Sequence, residues 1–562
     1  MRLRELQIKN FRKISELTIN FPRGLSVIVG ENNVGKTAVI DALRLLLFSS
    51  RDFETLRLNE DDFKNGSDYL PIEVSCTFCD LKEEDEVNFQ ECLIDLGDGK
   101  FEIRFNARVE FNKHSRRSSV KMWGGETEGG MLPSKVYDFI SSIYLRPLRD
   151  PESGLRPGRN SQVSRLIDSI TEESDYEKFE GIAKNANEAI QKLEQVVAAK
   201  KDINDQMLLI AGKELSQETE LIFTDPTFHR IIAGLQPRVD ELPFSLNGLG
   251  YNNLIFTSAT LGTLRRGDNY AYRSILIEEP EAHLHPHLQV LLLDYLAQVS
   301  AQNSGNDVQV IASSHSPILA SQAPIDSVVS MFETNGEIRV VSMCSLAIDE
   351  GLKKKLQRFL DATRGELFFA KRILMVEGIS EALIIPLLAK HLGISLKKGA
   401  VTVLNVDGLN FNTFLPLFGD KRITVPIAIL TDGDCKSLGA ELSNTTKTLK
   451  ANELHINNLR VEYSEITFEH ELARAPTMLA LMLTAFEMIH PLNGKQLRSD
   501  IALLSGNDQK ANKFLEEFLR NNTSKGEFAQ ELAALLDAPT LKVPVAEIPA
   551  YIKRALEFLG AT

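Results

Sequence analysis

Positive charge is in short supply in this chain. Its 562 residues carry 63 Lys and Arg against 77 Asp and Glu, a formal net charge of −14 at pH 7. That balance excludes a protein whose whole surface grips a polyanion, but leaves room for a local basic groove. Cysteine is scarce too: five, at 76, 79, 92, 344 and 435, too few and too scattered for a disulfide framework. A reducing, cytoplasmic location is the matching expectation. Cys76 and Cys79 have the spacing of a zinc knuckle, yet only Cys92 lies nearby. The alternation Ile72, Val74, Cys76, Phe78 reads as a strand instead. No apolar run is long enough for a membrane span, and Met1–Asn10 is charged and alternating, so neither a span nor a signal peptide is expected.

What the chain does have is a phosphate-binding loop. Leu25–Val29 is a short apolar strand that feeds Gly30-Glu31-Asn32-Asn33-Val34-Gly35-Lys36-Thr37, followed by an amphipathic helix through Ile40, Leu43 and Leu47. This is G-x-x-x-x-G-K-[ST] in its strand–loop–helix setting. Gly30 and Gly35 let the backbone curl so that N–H groups point inward at a β-phosphate. The helix N-terminus adds partial positive charge, Lys36 neutralises β/γ oxygens, and the Thr37 hydroxyl can ligate Mg²⁺. Gly30, Asn33, Gly35, Lys36 and Thr37 are the expected nucleotide contacts.

A second half of that site follows far downstream. The apolar strand Arg273–Ile277 ends in Glu278-Glu279-Pro280-Glu281, the Walker B arrangement. Glu278 is expected to orient Mg²⁺ and Glu279 to polarise the attacking water. Ser245-Leu246-Asn247-Gly248-Leu249-Gly250 is a small-residue segment at a helix start, with Ser245 and Gly248 as candidate nucleotide contacts. The strand Val308–Ile311 runs on to His315, read as a γ-phosphate sensor. Glu281-Ala282-His283-Leu284 reads as an inter-subunit loop rather than, with His285 and His287, as a metal cluster.

Together these segments resemble the ABC-type ATPase heads of the SMC and RecF-like proteins. That resemblance implies two heads sandwiching two ATP molecules. The chain departs from the pattern in having Glu278 where aspartate is usual, and Leu246-Asn247-Gly248 in place of a Ser-Gly-Gly core, which points to slow hydrolysis. Between the two halves, Ser164–Leu221 is long, helical and polar, with Ile182, Ala186, Ile190 and Leu193 at helical spacing. It reads either as a self-association arm or as a helical pair packed on its own domain.

The last third carries a different chemistry. Lys371–Val376 is a strand ending in Glu377-Gly378, and the helix after it carries Glu381. Val401–Val406 ends in Asp407-Gly408, and Val425–Leu430 ends in Thr431-Asp432-Gly433-Asp434. Three buried strands separated by helices predict a parallel sheet whose carboxyl ends gather Glu377, Asp407, Asp432 and Asp434. So many acids at one edge call for divalent cations. Glu on the first strand with Asp-x-Asp on the third is the TOPRIM pattern.

An SMC-like head fused to a TOPRIM domain resembles the OLD (overcoming lysogenization defect) family of prokaryotic nucleases, which includes the Gabija nuclease subunit. The resemblance implies that Glu377, Glu381, Asp432, Asp434 and Glu469, with Asp407 as a further candidate, hold two divalent cations (Mg²⁺, Mn²⁺ or Ca²⁺), and that Lys525 is a catalytic lysine. It implies an ATP-gated, metal-dependent DNA endonuclease in anti-phage defence, with ATP and Mg²⁺ or Mn²⁺ at the head. Its expected partners are DNA, a second or further copy of the chain, and a helicase or retron component, with no membrane. A TOPRIM topoisomerase, primase-like or recombination-repair enzyme, or a nucleotide-switched scaffold, are the alternatives. The expected fold is α/β. An ATPase N-lobe (1–160), a helical dimerisation insert (161–240) and an ATPase C-lobe (241–345) make a head with a mixed sheet. A linker (346–370) leads to a parallel-sheet TOPRIM domain (371–562). One test of the head follows: Lys36→Ala should lose nucleotide binding, whereas Glu279→Gln should bind ATP and hydrolyse it far more slowly. Wild-type hydrolysis by Glu279→Gln would remove it from the water-activating position.

Overall fold

The computed structural model describes residues 1–562 apart from 49–55, 57, 65–68, 148–153, 159–160, 240–241, 265–269, 302–306, 436–440 and 561–562. A stretch rich in Gly, Pro, Arg and Ser follows Leu145 as far as about Ser161, and part of it lies outside the described residues. Three main sheets organise the rest. The charged–apolar alternation at the N-terminus forms the hairpin Arg2–Phe11 and Ile14–Asn20. That hairpin joins Ile72–Cys79 and Phe101–Asn112 in an antiparallel layer. Cys76 is a core residue of this layer, as its alternation requires.

The second sheet is the nucleotide-site layer. Its order is Glu337–Ser342, Val328–Thr334, Leu25–Gly30, Gln309–Ser314, Tyr272–Glu278, Ile140–Leu145, parallel throughout except for the antiparallel edge strand Glu337–Ser342. Its central strands are buried along their whole length. Apolar runs of this kind belong to a sheet covered on both faces. The helix Lys36–Leu47 fills the space between this sheet and the antiparallel one, and nearly all of its residues are buried.

The third sheet is parallel, in the order Val401–Asn405, Arg372–Val376, Ile427–Thr431, Leu459–Tyr463. Its fourth strand, Leu459–Tyr463, adds to the three expected ones. The side chains alternate between two cores, as a period of two demands. Ile373, Met375, Ile427 and Ile429 enter one; Leu374, Val376, Ala428 and Leu430 enter the other. The second core is built with the C-terminal helices Pro476–Ile489, Asn507–Arg520, Lys525–Leu536 and Ala550–Phe558.

The first of those cores does not stop at the third sheet. It runs through Leu356, Leu360, Leu367 and Phe368 to Leu25, Val27, Val29, Val310 and Ala312 of the nucleotide-site sheet. Residues 346–370, read from the sequence as a linker, thus fold as the helix Glu350–Phe359 and the 3-10 turn Arg364–Phe369, wedged between the two sheets. Gly365 lies so close to the Pro317 carbonyl that a Cβ there would sit 2.5 Å from its oxygen.

The helical insert contrasts with this. Gln162–Ile170 is anchored on Leu249–Leu264, where Leu166 meets Gly262, and Tyr176 stacks on Phe228 at 4.0 Å. The helix Glu194–Leu215, by contrast, buries no residue, and Leu209, Ile210 and Leu215 are each about four-fifths exposed (77%, 81% and 77%). Ile182 is exposed as well.

A shared core predicts shared unfolding. Phe368→Ala should cost about 3–5 kcal/mol and lower the melting temperature of the nucleotide-site sheet and the third sheet together, as one calorimetric transition. Two transitions, only one of them shifted, would contradict this.

Candidate functional sites

The phosphate loop is built as the sequence requires. Gly30 (φ 151) and Gly35 (φ 89) lie in the region open to glycine. A Cβ on Gly30 would stand 2.1 Å from the Met331 carbonyl oxygen, so only glycine fits there. Asn33, at φ 68, completes the curl. Lys36 donates from Nζ to the Gly30 and Glu31 carbonyls, both at 2.6 Å. Burial pushes its pKa down to about 8, against the opposing pull of Glu281, Glu279 and Glu31.

The parallel strands carry the Walker B acids to the same edge. Glu278 is buried and its two oxygens are divided: Oε2 accepts from Thr37 Oγ1 at 2.8 Å, Oε1 from the Tyr144 hydroxyl at 2.6 Å. Burial raises its pKa, and these two hydrogen bonds counter the rise. Glu279 adopts a left-handed backbone (φ 48) that turns its carboxylate toward His315, whose Nε2 lies 3.6 Å from Oε1. Burial and nearby Lys36 lower the His315 pKa, favouring neutral imidazole. Glu281, read from the sequence as part of an inter-subunit loop, ties the two strands together in its own chain. Its Oε1 accepts from Ser314 Oγ (2.9 Å) and from the His315 backbone N–H (2.7 Å). His283, His285 and His287 are exposed.

The structure thus brings together Gly30, Asn33, Gly35, Lys36, Thr37, Glu278, Glu279 and His315. Ser245 and Gly248 precede the helix Leu249–Leu264, whose Gly250 lies against the His283 carbonyl just after the Walker B acids. Ser245 is described only through its backbone in the 3-10 turn Phe244–Leu246, and Gly248 is exposed.

The acidic site of the third sheet forms by register. Val376 pairs with both Leu430 and Asn405, so Glu377, Asp432 and Asp407 leave adjacent strand ends. Glu377 Oε2 accepts from Thr431 Oγ1 at 3.2 Å. Asp432 is buried, and its Oδ1 accepts from Ser464 Oγ at 3.0 Å and from the Phe468 N–H at 2.7 Å. Glu381, at the N-terminus of Ile379–His391, accepts from the Gly378 N–H at 3.1 Å. Glu469 is buried on Phe468–Ala473, 3.1 Å from Lys525 Nζ.

Like charges in low dielectric show in the titrations. Burial, then Glu469, Glu377 and Glu381, hold the Asp432 carboxyl well above its usual range. Burial, then Glu469, push Glu381 up to about 7. Burial alone would lower the Lys525 pKa; Glu469, Asp432 and Glu381 outweigh it and raise it. Lys525 is the first residue of Lys525–Leu536, packed against Ile379–His391 by Ser380, which donates to the Lys525 carbonyl at 3.2 Å. Glu377, Glu381, Asp432, Glu469 and Lys525 therefore form one electrostatic group. Asp407 (φ 59) and Asp434 (φ 52) occupy exposed turns beside it.

Four carboxylates of this kind are hard oxygen donors, the chemistry that suits Mg²⁺ or Mn²⁺. Among the described residues, no three His, Cys, Asp or Glu side chains already stand close enough to hold an ion. Side-chain rotation would have to draw them together.

Several of these partners had no mark in the sequence. Ser464 follows a strand too short and too charged (Leu-Arg-Val-Glu-Tyr) to stand out. Tyr144 and Ser314 become partners of the acids only through pairing between distant strands. No helix among the described residues is long and apolar enough to cross a membrane.

Comparison with known proteins finds two domains in the chain. The family model described as AAA ATPase domain matches residues 1–123 and 133–320, more than half of the chain. The model described as Overcoming lysogenization defect protein-like, TOPRIM domain, matches residues 368–434. The chain is similar to the OLD nuclease of Thermus scotoductus, 25% identical over 471 residues, which is 80% of this chain and 85% of that one. It is also similar to Endonuclease GajA of Bacillus cereus (strain VD045), 23% identical over 453 residues, 78% of this chain and 76% of that one. The Old nuclease of Escherichia phage P2 is 25% identical over 535 residues, 88% of this chain and 86% of that one. The chain belongs to the AAA ATPase-domain family and joins that domain to an OLD-like TOPRIM domain, the composition of an ATPase-linked nuclease.

Proposed function

We propose that this protein is an ATP-gated, divalent-metal-dependent DNA endonuclease, cytoplasmic and self-associating, that serves in prokaryotic anti-phage defence. One observation carries the catalytic part. Four acids from separate elements and Lys525 meet at the carboxyl edge of the parallel sheet. The names of the relatives, OLD nuclease and Endonuclease GajA, support the same reaction class.

Divalent cations bound by these acids would supply Lewis acidity for hydrolysis of a phosphodiester. Glu377, Glu381, Asp432 and Glu469 hold them, with Asp407 and Asp434 at the rim where an approaching ion meets the chain first. Glu469 presents Lys525, whose ammonium offsets charge on the phosphorane-like transition state. Ser464 and the Phe468 N–H fix Asp432 so that only one of its oxygens is left to turn outward.

At the other site Lys36 and the loop amides hold the ATP phosphates, and Thr37 and Glu278 share the Mg²⁺ position. Glu279 orients the attacking water and neutral His315 senses the γ-phosphate. The gate has a physical path. Lys371, just before the strand that delivers Glu377, lies 3.5 Å from Glu31 of the phosphate loop. Such a gate transmits only as much free energy as the difference in ATP affinity between its two states. Self-association is supported by the bare helix Glu194–Leu215 and by exposed Leu246, Leu249 and Tyr251 around the signature-like segment.

The deciding experiment is incubation of supercoiled plasmid with Mg²⁺ or Mn²⁺, with and without ATP. Nicked or linear product is expected; a ladder of topoisomers or unchanged plasmid would reject the proposal. Lys525→Ala should lower single-turnover cleavage on the order of a hundredfold or more with little change in DNA affinity. Lys513→Ala should stay near wild type, and equal rates in the two variants would take Lys525 out of the site.

The raised carboxyl of Glu381 adds a pH test. Between its ordinary 4.5 and about 7 it keeps its proton in the folded state and loses it in the unfolded state. Stability in EDTA should therefore fall as pH rises through that window, on the order of 3 kcal/mol from this group. The fall should shrink in Glu381→Gln and on adding Mn²⁺. Melting temperatures flat between pH 5 and 8 would show that the cluster is not charge-frustrated.

A further inference from the structure

We propose that Tyr144 is a positioning residue of the ATPase site, one that tethers the Glu278 carboxylate so that its second oxygen stays on Thr37. The proposal rests on the assignment of Gly30–Thr37 and Glu278 to Mg²⁺·ATP. It adds a residue that no motif contains.

The need for a tether follows from the side chain. Glutamate has one more rotatable bond than the aspartate usual at this place, and it stands at the end of a fully buried strand. Holding a single oxygen would leave that bond to swing, and would leave the other oxygen an unsatisfied buried acceptor. Here both oxygens are occupied, Oε2 by Thr37 at 2.8 Å and Oε1 by the Tyr144 hydroxyl at 2.6 Å. With two fixed points, the plane of the carboxylate is fixed.

Tyr144 is itself held in two ways. Its backbone belongs to Ile140–Leu145, in parallel register with the Walker B strand, Tyr144 opposite Leu276. Its ring lies under the Arg44 guanidinium, 3.9 Å from ring centroid to Cζ. Arg44 is anchored by Asp41 at 2.6 Å, Asp41 is bound by Arg12 at 2.8 Å, and Arg12 reaches Asp62 at 2.8 Å. Thr37 and Arg44 are two turns apart on one helix, Lys36–Leu47, and so share a face. A single helix therefore holds Glu278 directly through Thr37 and indirectly through the ring under Arg44. Packing alone would be satisfied by phenylalanine; the 2.6 Å hydroxyl contact is what phenylalanine lacks.

The test is nucleotide affinity with and without the ion. Binding of a fluorescent ATP analogue is titrated in excess Mg²⁺ and in EDTA, on full-length Tyr144→Phe and wild type, with melting curves confirming that both are folded. Tyr144→Phe should bind the Mg²⁺-free nucleotide like wild type, because Lys36 and the loop amides are untouched. It should lose the larger part of the gain in affinity that Mg²⁺ gives, on the order of tenfold, with a matching rise in the Mg²⁺ concentration needed for half-maximal binding. In the Glu278→Asp background the same substitution should have little effect, because the shorter side chain has no extra bond to restrain. An unchanged Mg²⁺ dependence in Tyr144→Phe overturns the tether. So does an equal loss with and without Mg²⁺, or an undiminished effect in the Glu278→Asp background. Nucleotide binding by Lys36→Ala at wild-type strength would instead overturn the underlying assignment of the site.

Discussion

Carboxylates placed side by side out of water resist ionisation, and both working parts of this protein are built around that resistance. At the nucleotide site, Glu281, Glu279 and Glu31 converge near one ammonium, Lys36. At the TOPRIM edge, Glu377, Glu381, Asp432 and Glu469 converge near another, Lys525. In each case the acids outnumber the lysine, so the balance has to come from hydrogen-bond donors and from cations supplied with the substrate. The backbone and hydroxyl donors on Asp432 and Glu281 supply part of it. Under the proposed function, what remains unbalanced would favour the binding of a metal ion. The chemistry is thus stored as electrostatic strain that the rest of the fold must be rigid enough to bear.

That rigidity comes from parallel strands. In both sheets the acids leave at carboxyl ends, where open α/β sheets place their ligands. Neighbouring strands fix their separation through backbone hydrogen bonds rather than through side-chain packing. The lysines come instead from helix starts: Lys36 opens Lys36–Leu47 and Lys525 opens Lys525–Leu536. Each helix seats its lysine by apolar residues further along, Ile40 and Leu43 in one, Phe528 and Leu532 in the other.

Much of this could be read in the sequence, because local pattern encodes local geometry. Gly30–Thr37 specifies a loop by residue type alone, and an apolar run ending in two acids specifies a strand and its working end. Lys525 is different: it came from family resemblance, since a lysine at a helix start is ordinary. The hidden parts depend on pairing across long stretches of chain. Tyr144 reaches Glu278 across 134 residues, and Lys371 reaches Glu31 across the whole head. The strand Leu459–Tyr463 escaped because a charged residue at every second place looks like a solvated edge, although Glu462 is buried against Arg460 and Arg554. The stretch 346–370 reads as a linker from its place between two patterned domains, whereas Leu356, Leu360, Leu367 and Phe368 enter a core contributed by both sheets.

That continuous core bears on how such a chain can diverge. Modules joined by a tether can be exchanged by recombination, since neither surface knows the other. Here a TOPRIM sheet grafted onto a foreign ATPase would have to bring a face matched to Leu356, Leu360, Leu367 and Phe368. Drift on one side must be answered on the other: a larger residue at Ile373 presses, through this wedge, on the strand that carries the phosphate loop. The two halves are therefore expected to have descended together, and their sequences to record one shared history rather than two.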